Sequence, residues 1–344
     1  MEPNLEADVS DDLGVASKEL VAGTLYFMKE TDYLTGETFD YVKIGIVKGE
    51  KEVAAREKDH RTGNPRRISS VKDIATPAVQ KLETHLHNLY AKNRVSSGEW
   101  FYLSSSELEQ AIEEATTQKE VLEKKIQNLN NLQSANKTQH LGPSLPESPE
   151  AKALVEQILF LEAEESANSR QKKELSAAII DLASDDPRYA SLLQVSTTKA
   201  STRFDGTNLR KTHKELYESF MTKESSSWAR KFLIEVPKKE TESLELENLS
   251  AEALHALYLD SWAQAENLKW KLWILESDLL ALMGDASEIS GLVEWKETKK
   301  KVFNGDSFKA SHPEIYSQFM NESEPKQNQK VVEWASYSAG SLPV

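Results

Sequence analysis

The chain contains no cysteine in its 344 residues. Disulfide bridges and thiolate metal sites are therefore excluded, and the composition suits a reducing cytoplasm. No apolar run approaches the ~20 residues that a membrane-spanning helix needs. The acidic N-terminus also lacks the basic start and the apolar stretch of a signal peptide. We therefore expect a cytoplasmic protein that has no membrane partner.

Basic charge is also scarce, since 42 Lys and Arg against 56 Asp and Glu give a formal net charge of −14. This balance argues against a protein that coats nucleic acid over its whole surface. A local exception lies between Lys48 and Arg67, where seven basic residues stand among four acidic ones. The segment leaves two interpretations open, a contact to phosphate groups or a solvated helix face.

Residues 23–104 have the pattern of one compact unit. Four segments rich in β-branched and aromatic residues read as strands: "GTLYFMK", "DYVKIGIVK", "RRISSVKDIAT" and "GEWFYL". Helical segments lie between them, one after Gly49 and one opened by Pro77. The predicted order is β-β-α-β-α-β, with Trp100 and Phe101 of the last strand in the core.

The segments that flank this unit are polar. We predict an acidic disordered tail over residues 1–22, an exposed connecting helix over 105–132 and a linker over 133–150. Ser105 or Ser106 is the expected cap of the connecting helix. The predicted fold class is therefore α+β, with a small mixed sheet and flanking helices followed by a mostly α-helical half.

An internal repeat occupies the C-terminal half. The segment "RFDGTNLRKTHKELYESFM" (203–221) matches "VFNGDSFKASHPEIYSQFM" (302–320) without a gap, and seven residues recur 99 positions later. A period of this length indicates two domain-sized units rather than a solenoid. We predict a duplication with copies over 151–236 and 250–335. Each copy would contain a long helix or helical hairpin, an irregular stretch and a short helix.

Histidines and tryptophans of this half read mainly as packing residues. His213 and His312 recur ahead of the short helices, where we interpret them as capping or packing residues rather than metal ligands. Trp262, Trp270 and Trp273 fall on one side of a helix. Packing between the helices of one hairpin is our interpretation, and an exposed aromatic ridge that binds a partner is the alternative.

The helix "KLETHLHNLY" (81–90) carries the first candidate chemistry. Glu83 and His87 are four residues apart and share a face, whereas His85 points away from both. Two ligands are too few for a structural zinc site. A single carboxylate does suit Mg²⁺, which takes one or two carboxylates, water and phosphate oxygens. The alternative is an ordinary helix with a Glu–His pair on its surface.

The ordered set of Tyr26, Lys43-Ile44-Gly45, Arg56, Glu83 and "GEWF" resembles the GIY-YIG nuclease superfamily. The similarity is to the divergent branch common in phage proteins, in which lysine replaces the tyrosine of the second motif. It covers about residues 23–104, less than a quarter of the chain.

The resemblance implies a role for each matching residue. Tyr26 would take the place of the first motif's tyrosine, Arg56 would contact the scissile phosphate and Glu83 would hold Mg²⁺ or Mn²⁺. Three more catalytic candidates follow from the same pattern: Lys43, His60 and His87. Arg61, Arg66 and Arg67 flank a turn near the predicted site, where we expect them to contact the nucleic-acid backbone.

The chemistry expected of Tyr26 depends on its pKa. An unperturbed tyrosine, with a pKa near 10, is only about 0.1% phenolate at pH 7. A nearby cation, such as Lys43 across the hairpin or a metal on Glu83, would favour the phenolate. The alternative interpretation is that Tyr26 packs in the sheet core and Arg56 pairs with Glu52 or His60.

The region "WKETKKKVFNGDSFKASHPEIYSQFM" resembles the helical tail of YqaJ-type phage recombination exonucleases. That resemblance is clearer for residues 250–335 than for 151–236. Glu294-Trp295-Lys296 also fits the E-x-K of the exonuclease core by letter. We interpret it as structural, because no partner acid precedes it at a suitable spacing.

Together these patterns predict a phage-type, metal-dependent DNA endonuclease with a duplicated helical half that targets it. A phage-encoded protein of this kind would act in the host cytoplasm. A protein partner or self-association through the repeats is a further expectation. Two alternatives stand beside this one, an inactive module that binds nucleic acid or a recombination protein, and an acidic inhibitor that mimics DNA.

Overall fold

The computed structural model describes residues 20–49, 51–61, 64–134, 142–235, 246 and 249–335. The predicted tail over 1–22 therefore lies almost wholly outside the described residues, as does the first part of the predicted linker. The fold is α+β, as predicted, with a sheet domain followed by a mostly helical half. No helix in these ranges combines the length and apolarity that crossing a bilayer requires.

The N-terminal sheet has the predicted element order. Its elements are β1 (Gly23–Asp32), β2 (Thr38–Lys48), α1 (Val53–Arg61), β3 (Arg66–Thr76), α2 (Val79–Leu89) and β4 (Trp100–Tyr102). The strands lie in the order β3-β1-β2-β4, and every pairing is antiparallel rather than mixed. Only β1 and β2 are consecutive neighbours, and the connections that contain α1 and α2 cross over to strands elsewhere in the sheet.

The two faces of this sheet bury different side chains, because successive residues of a strand point to opposite sides. One face packs Leu25, Phe27, Ile44 and Phe101 against the helices. The other face carries Tyr26, Met28 and Lys43. The interpretation that Tyr26 packs in the sheet is thus correct as far as burial goes, since its side chain is fully buried.

The helix after the sheet is not an exposed connector. Helix α3 (Ser105–Ser134) buries one face completely, through Ala111, Ala115, Leu122 and Leu129. Its many polar residues lie on the other side, which misled a prediction based on composition. The cap is also one residue earlier than predicted. Ser104 accepts from the Glu107 N–H while Glu107 accepts from the Ser104 N–H, which is a capping box.

The C-terminal half is built on two long helices, α4 (Pro149–Asp185) and α7 (Ala251–Met283). The N-terminal part of α4 packs on the C-terminal part of α7, and the C-terminal part of α4 packs on the N-terminal part of α7. The two helices are therefore antiparallel. The side chains of Trp270 and Trp273 on α7 pack against the N-terminal domain instead of against α4. The expected packing between hairpin helices is therefore wrong for these two tryptophans.

Strands occupy the stretches predicted to be irregular. The remaining elements are β5 (Ser144–Leu145), β6 (Leu193–Thr197), β7 (Ser201–Phe204), α5 (Gly206–Thr212), α6 (Lys214–Ser219), β8 (Lys223–Phe232), β9 (Glu288–Ile289), β10 (Val293–Val302), α8 (Gly305–Ser311), α9 (Pro313–Gln318), β11 (Met320–Ser323) and β12 (Gln327–Val331). The predicted single short helix of each copy is a pair, α5–α6 or α8–α9.

Three strand pairs join the two copies, whereas the short β9 pairs with β10 of its own copy. β10 pairs with β8, while β7 and β6 pair with β11 and β12. The N–H of Asp205 donates to Phe319 O at 2.8 Å, and the N–H of Asn304 donates to Phe220 O at 2.9 Å. These two bonds are equivalent under the 99-residue offset, so the copies exchange strands about an approximate two-fold axis.

An aromatic column fills the centre of this arrangement. The rings stack in the order Tyr217, Phe303, Phe204 and Tyr316, with neighbouring planes within 8° of parallel. His213 lies edge-on to Phe319, and His312 lies edge-on to Phe220. Neither histidine forms a side-chain cap. Packing rather than capping is therefore what both histidines do.

The predicted E-x-K segment belongs to β10. Glu294 forms an ion pair with Lys231 on β8 at 3.4 Å, across the strand pair. The side chain of Lys296 lies outside the described residues. The ion pair supports the structural interpretation of Glu294.

Candidate active site

The candidate site lies on the polar face of the N-terminal sheet, under α1. In the antiparallel pairing Tyr26 of β1 lies opposite Gly45 of β2, and Met28 lies opposite Lys43. The four residues therefore share one face. Hydrophobic neighbours of Tyr26 on this face are Met28, Val47, Ile68, Val53 and Trp100.

Gly45 leaves the space that the tyrosine ring occupies. A Cβ atom at this position would lie 2.5 Å from the Tyr26 hydroxyl oxygen and 2.7 Å from its ring carbon Cζ. No real Cβ atom approaches other atoms so closely. The glycine of Lys43-Ile44-Gly45 is thus required by the ring that lies over it.

The Tyr26 hydroxyl group is buried and makes no well-formed hydrogen bond with a described residue. Burial is the largest cause that raises its pKa, and the charges of Glu99 and Glu83 raise it further. Arg56 approaches the hydroxyl and acts in the opposite direction, although the contact lacks full hydrogen-bond geometry. The substrate-free site therefore holds a neutral phenol, not the phenolate that the sequence argument favoured.

Lys43 serves a different partner from the one expected. Its ammonium group donates to Glu99 Oε2 at 2.7 Å and lies 5.8 Å from the centre of the Trp100 ring. Burial opposes ionisation of Glu99, but the hydrogen bond and charge of Lys43 outweigh it and lower the pKa of this carboxyl group. The pair therefore stays charged within the site.

Glu99 was not among the predicted site residues. The sequence signal was its place in "GEWF", where the aromatic residues drew the interpretation toward the core. The negative charge of Glu99 acts on Tyr26, His60 and His87. By itself this charge raises their pKa values, although burial gives both histidines a lowered pKa overall. Glu99 is thus the carboxylate that connects the members of the cluster.

Helix α1 supplies Arg56 and His60 one turn apart. Arg56 is exposed and reaches Asp59 only loosely, at 3.8 Å, rather than the predicted Glu52 or His60. Burial and the charges of Lys43 and Arg56 lower the pKa of His60. Its Nε2 atom is buried and has no hydrogen-bond partner among the described residues. His60 is therefore neutral at pH 7 and faces the cluster.

Helix α2 presents Glu83 and His87 on one side and His85 on the other, as predicted. Glu83 is half-buried, and its charge acts on Tyr26 and on Arg94. His85 Nε2 pairs with Glu114 of α3 at 2.9 Å, and its ring stacks on Trp270 of α7 at 4.5 Å. His85 thus attaches the rear of α2 to the helical half.

His87 holds a fixed tautomer. Its Nε2 atom lies 2.9 Å from the carbonyl oxygen of Ile44, which can only accept, so the proton is on Nε2. Burial lowers the pKa of His87 to about 4. A neutral ring held against β2 and 5.1 Å from Phe101 positions α2 on the sheet.

A metal site made only of protein ligands is not present in the part of the chain that the structure describes, where no three His, Asp or Glu side chains cluster suitably. Glu83 is a single carboxylate beside a buried hydroxyl group that has no described hydrogen-bond partner. This donor set fits Mg²⁺ or Mn²⁺ bound with water and substrate phosphate, and it does not fit zinc.

The three arginines predicted to contact a nucleic-acid backbone differ in their surroundings. Arg66 donates to Glu30 at 2.9 Å and lies over the Phe39 ring at 4.3 Å. Arg61 is bound to Glu57 at 3.2 Å. Arg67 is exposed and forms no ion pair with a described residue, so it is the best placed of the three. A cleft beside α1 adds further cations and is lined by Ile46, Val47, Lys48, Lys51, Glu52, Ala55, Arg56 and Asp59.

Comparisons with known proteins identify one similarity, which covers the sheet domain. Residues 23–116 match the T5orf172 domain. It is a phage-associated domain of the nuclease-related group. The match covers about a quarter of the chain and extends into α3. Searches among curated proteins and among solved structures gave no match. Residues 23–116 are thus supported as a phage-type, nuclease-like domain.

Proposed function

We propose that the T5orf172 domain of this chain is a metal-dependent DNA endonuclease of the GIY-YIG type, and that the duplicated helical half targets it. The supporting observation is the Tyr26 hydroxyl group, buried over Gly45 without a described hydrogen-bond partner and approached by Arg56. A buried polar group without a partner costs about 1–3 kcal/mol. A catalytic role is one of the reasons for which a protein retains such a group.

The proposed roles follow from the positions of the side chains. Arg56 binds the phosphate oxygens bidentately and stabilises the charge that develops on them. Glu83 would hold Mg²⁺ or Mn²⁺, which when bound withdraws charge from the phosphate and orients the substrate. After its phenol proton has passed to solvent, Tyr26 receives the proton of the attacking water, and solvent protonates the oxygen that leaves when the phosphodiester P–O bond breaks. Lys43, His60 and His87 have supporting roles in this proposal. Their charges and contacts influence Tyr26, Arg56 and Glu83 and hold these residues in place.

The raised pKa of Tyr26 sets a condition on this mechanism. The carboxylates of Glu99 and Glu83 both oppose the phenolate form. Lys43 already neutralises Glu99, and a cation held by Glu83 would neutralise the other carboxylate. Neutralising both carboxylates would leave burial as the cause that raises this pKa and the charge of Arg56 as the one that lowers it, so the metal-bound state is the one in which we expect Tyr26 to act as a base.

A nicking assay tests the proposal. Supercoiled plasmid is incubated with the wild type and with Glu83→Ala, in Mg²⁺, Mn²⁺ or EDTA. We expect nicking that requires the metal and falls about 10²–10³-fold in the variant. Glu113→Ala removes an exposed glutamate on α3 and is the matched control. Equal nicking by both variants, or nicking in EDTA, contradicts the proposal.

A second candidate is a module that binds nucleic acid but does not cleave it. The neutral phenol favours this function, as does a site in which Glu83 is the one carboxylate proposed to hold a metal ion. Wild type and Glu83→Ala would then bind DNA equally, and both would leave the plasmid intact. Binding that weakens steeply as salt rises would distinguish this module from an acidic DNA mimic, which binds no DNA.

A further inference from the structure

The exchanged strands and short helices of the C-terminal half form a distinct unit. We define the paired-repeat module as residues 193–232 and 293–331, which contain β6–β8, α5–α6 and β10–β12 with α8–α9. Its core is the aromatic column, around which Leu209, Phe308 and Phe319 are buried. Because each copy supplies strands to the other, the module is one preformed body.

The charge of this module is opposite to that of the remaining chain. It contains 15 Lys and Arg against 10 Asp and Glu, a net charge of +5. The other residues contain 27 Lys and Arg against 46 Asp and Glu, a net charge of −19. An acidic protein that concentrates its positive charge on one rigid body has the electrostatic pattern of an anion-binding surface.

Much of this positive charge is available to a ligand. Nine cationic side chains of the module are exposed and form no ion pair with a described acidic residue. Lys214 and Lys231, by contrast, are bound to Glu218 and Glu294. Cations without acidic partners can neutralise phosphates without first losing an internal ion pair.

One group of these cations lies on the β8–β10 strand pair. Lys223 is opposite Val302, and Lys300 lies two residues from Val302 on β10. Strand alternation therefore places Lys223 and Lys300 on the same face as diagonal neighbours, about 7–8 Å apart between strands. This spacing is close to that of successive phosphates along one nucleic-acid strand.

A second group lies on the strand pair related by the pseudo-two-fold axis. Arg203 is on the face of β7 opposite Phe204, so it points away from the aromatic column. Lys199 follows Thr198, whose N–H donates to Lys326 O at 2.9 Å. Lys199 and Lys326 therefore lie close together at the end of the β6–β12 pair, where both are exposed, and Arg203 lies on the outer face of the β7–β11 pair.

The column itself ends in cations at both sides. The Arg210 guanidinium lies 6.0 Å from the centre of the Tyr217 ring, and Lys309 Nζ lies 5.5 Å from that of Tyr316. These residues are equivalent under the 99-residue offset. The two basic strand pairs and the two column ends are thus held in fixed relation by one aromatic core.

We propose that the paired-repeat module binds the phosphate backbone of duplex DNA without reading its sequence. Lys199, Arg203, Lys223 and Lys300 make the principal contacts, and the aromatic column preorganises the two strand pairs that carry them. The choice of duplex DNA rests on the proposed function of the N-terminal domain. The basic surface itself does not depend on that function.

The experiment measures binding of the full-length Glu83→Ala chain, in EDTA, to a fluorescent 25-base-pair duplex over a range of salt concentrations. The test variant changes Lys199, Arg203, Lys223 and Lys300 to Gln. The matched control changes Lys124, Lys152, Lys173 and Lys271 to Gln, which removes the same charge from α3, α4 and α7. Circular dichroism and thermal melting of both variants verify that they are folded.

We expect the test variant to bind at least 10-fold more weakly than the matched control in low salt. The slope of log K against log salt should fall by about 2–4, because each lost phosphate contact removes about 0.9. Equal binding by the two variants overturns the proposal, as does a wild-type preference for RNA over the duplex.

Plasmid nicking by chains that retain Glu83 separates this proposal from the proposed function. If the wild type nicks the plasmid but the four substitutions leave duplex binding unchanged, only the proposed binding surface is contradicted. If the wild type never nicks the plasmid but the four substitutions abolish duplex binding, only the proposed endonuclease is contradicted.

Discussion

The two faces of the N-terminal sheet differ in how completely their polar groups are satisfied. The face toward α2 and α3 is closed by apolar packing of Leu25, Phe27 and Ile44. The face toward α1 buries the Tyr26 hydroxyl and His60 Nε2 without hydrogen-bond partners among the described residues. One face of the sheet is thus stabilised by apolar packing, whereas the other face buries polar atoms at a cost in stability. The second face is where we expect catalysis.

The largest expected effect comes from removing the Tyr26 hydroxyl alone. In Tyr26→Phe we expect plasmid nicking to fall about 10²–10⁴-fold, because the proposed proton acceptor is lost. The free energy of unfolding should stay the same or rise, since a buried group without a partner is removed. Nicking rates and urea unfolding measure the two quantities.

Tyr26→Leu is the companion of this variant, because it also removes ring contacts with Met28 and Val47 and should lose stability. A Tyr26→Phe protein that is destabilised by more than 1 kcal/mol would show that the hydroxyl has a structural partner. The difference between the two faces would then disappear.

A core truncation on the apolar face should have the reverse effect. Leu82 of α2 is fully buried in the cluster behind the sheet. In Leu82→Ala we expect a loss of about 2–5 kcal/mol in the free energy of unfolding. The nicking rate per folded molecule should change little. Chemical denaturation followed by tryptophan fluorescence gives the stability, and a rate loss without destabilisation would contradict the prediction.

Gly45→Ala should lower both the stability of the protein and its nicking activity. Its new Cβ would meet the Tyr26 hydroxyl at 2.5 Å, so the ring must move. We expect about 1–3 kcal/mol of destabilisation, as for other overpacked positions. Nicking should be lost as well. Gly36→Ala provides a contrast, because a Cβ there meets nothing within 4 Å although its positive φ carries its own strain. In a Tyr26→Ala background the clashing ring is absent, so Gly45→Ala should cost little further stability there, and an undiminished cost would contradict the prediction.

The last expected effect is a pH dependence of stability on the apolar face, which is absent at neutral pH and develops only as the pH falls. Burial lowers the pKa of His87 to about 4, whereas the unfolded chain binds this proton near pH 6.5. The contribution is therefore fully present above pH 6.5 and is lost as the pH falls toward 4. We expect about 2–3 kcal/mol of this loss to be absent in His87→Gln. His60 and His255 shift in the same direction, so the difference between the two proteins is the relevant quantity.

Local patterns were sufficient to predict the order of elements in the sheet domain. Strand alternation, the glycine turns and the spacing of Leu82 and Leu86 all act within a few residues. Position in the ordered motif also placed Tyr26, Arg56 and Glu83 near one another. The structure brings these residues to the same cluster, although their catalytic roles stay predictions.

Contacts between distant segments were beyond such patterns. Trp270 stacks on His85, a residue 185 positions earlier, and no periodicity encodes which surface an aromatic side chain will meet. Glu99 was overlooked for a related reason. Its importance comes from Lys43, which is adjacent only because β2 and β4 pair. The strand exchange between the repeats is likewise a property of two segments together.

That strand exchange has a consequence for synthesis of the protein. Leu193 pairs with Val331, and Phe204 pairs with Met320, so the first repeat needs strands that are translated more than 100 residues later. Closing such long loops slows folding, and the strand edges of the first repeat stay open until residues 320–331 have left the ribosome. A nonsense codon after residue 319 would remove strands from both two-stranded sheets at once. The nascent first repeat therefore depends on strands of the second repeat in the same chain, much as a monomer depends on a partner subunit.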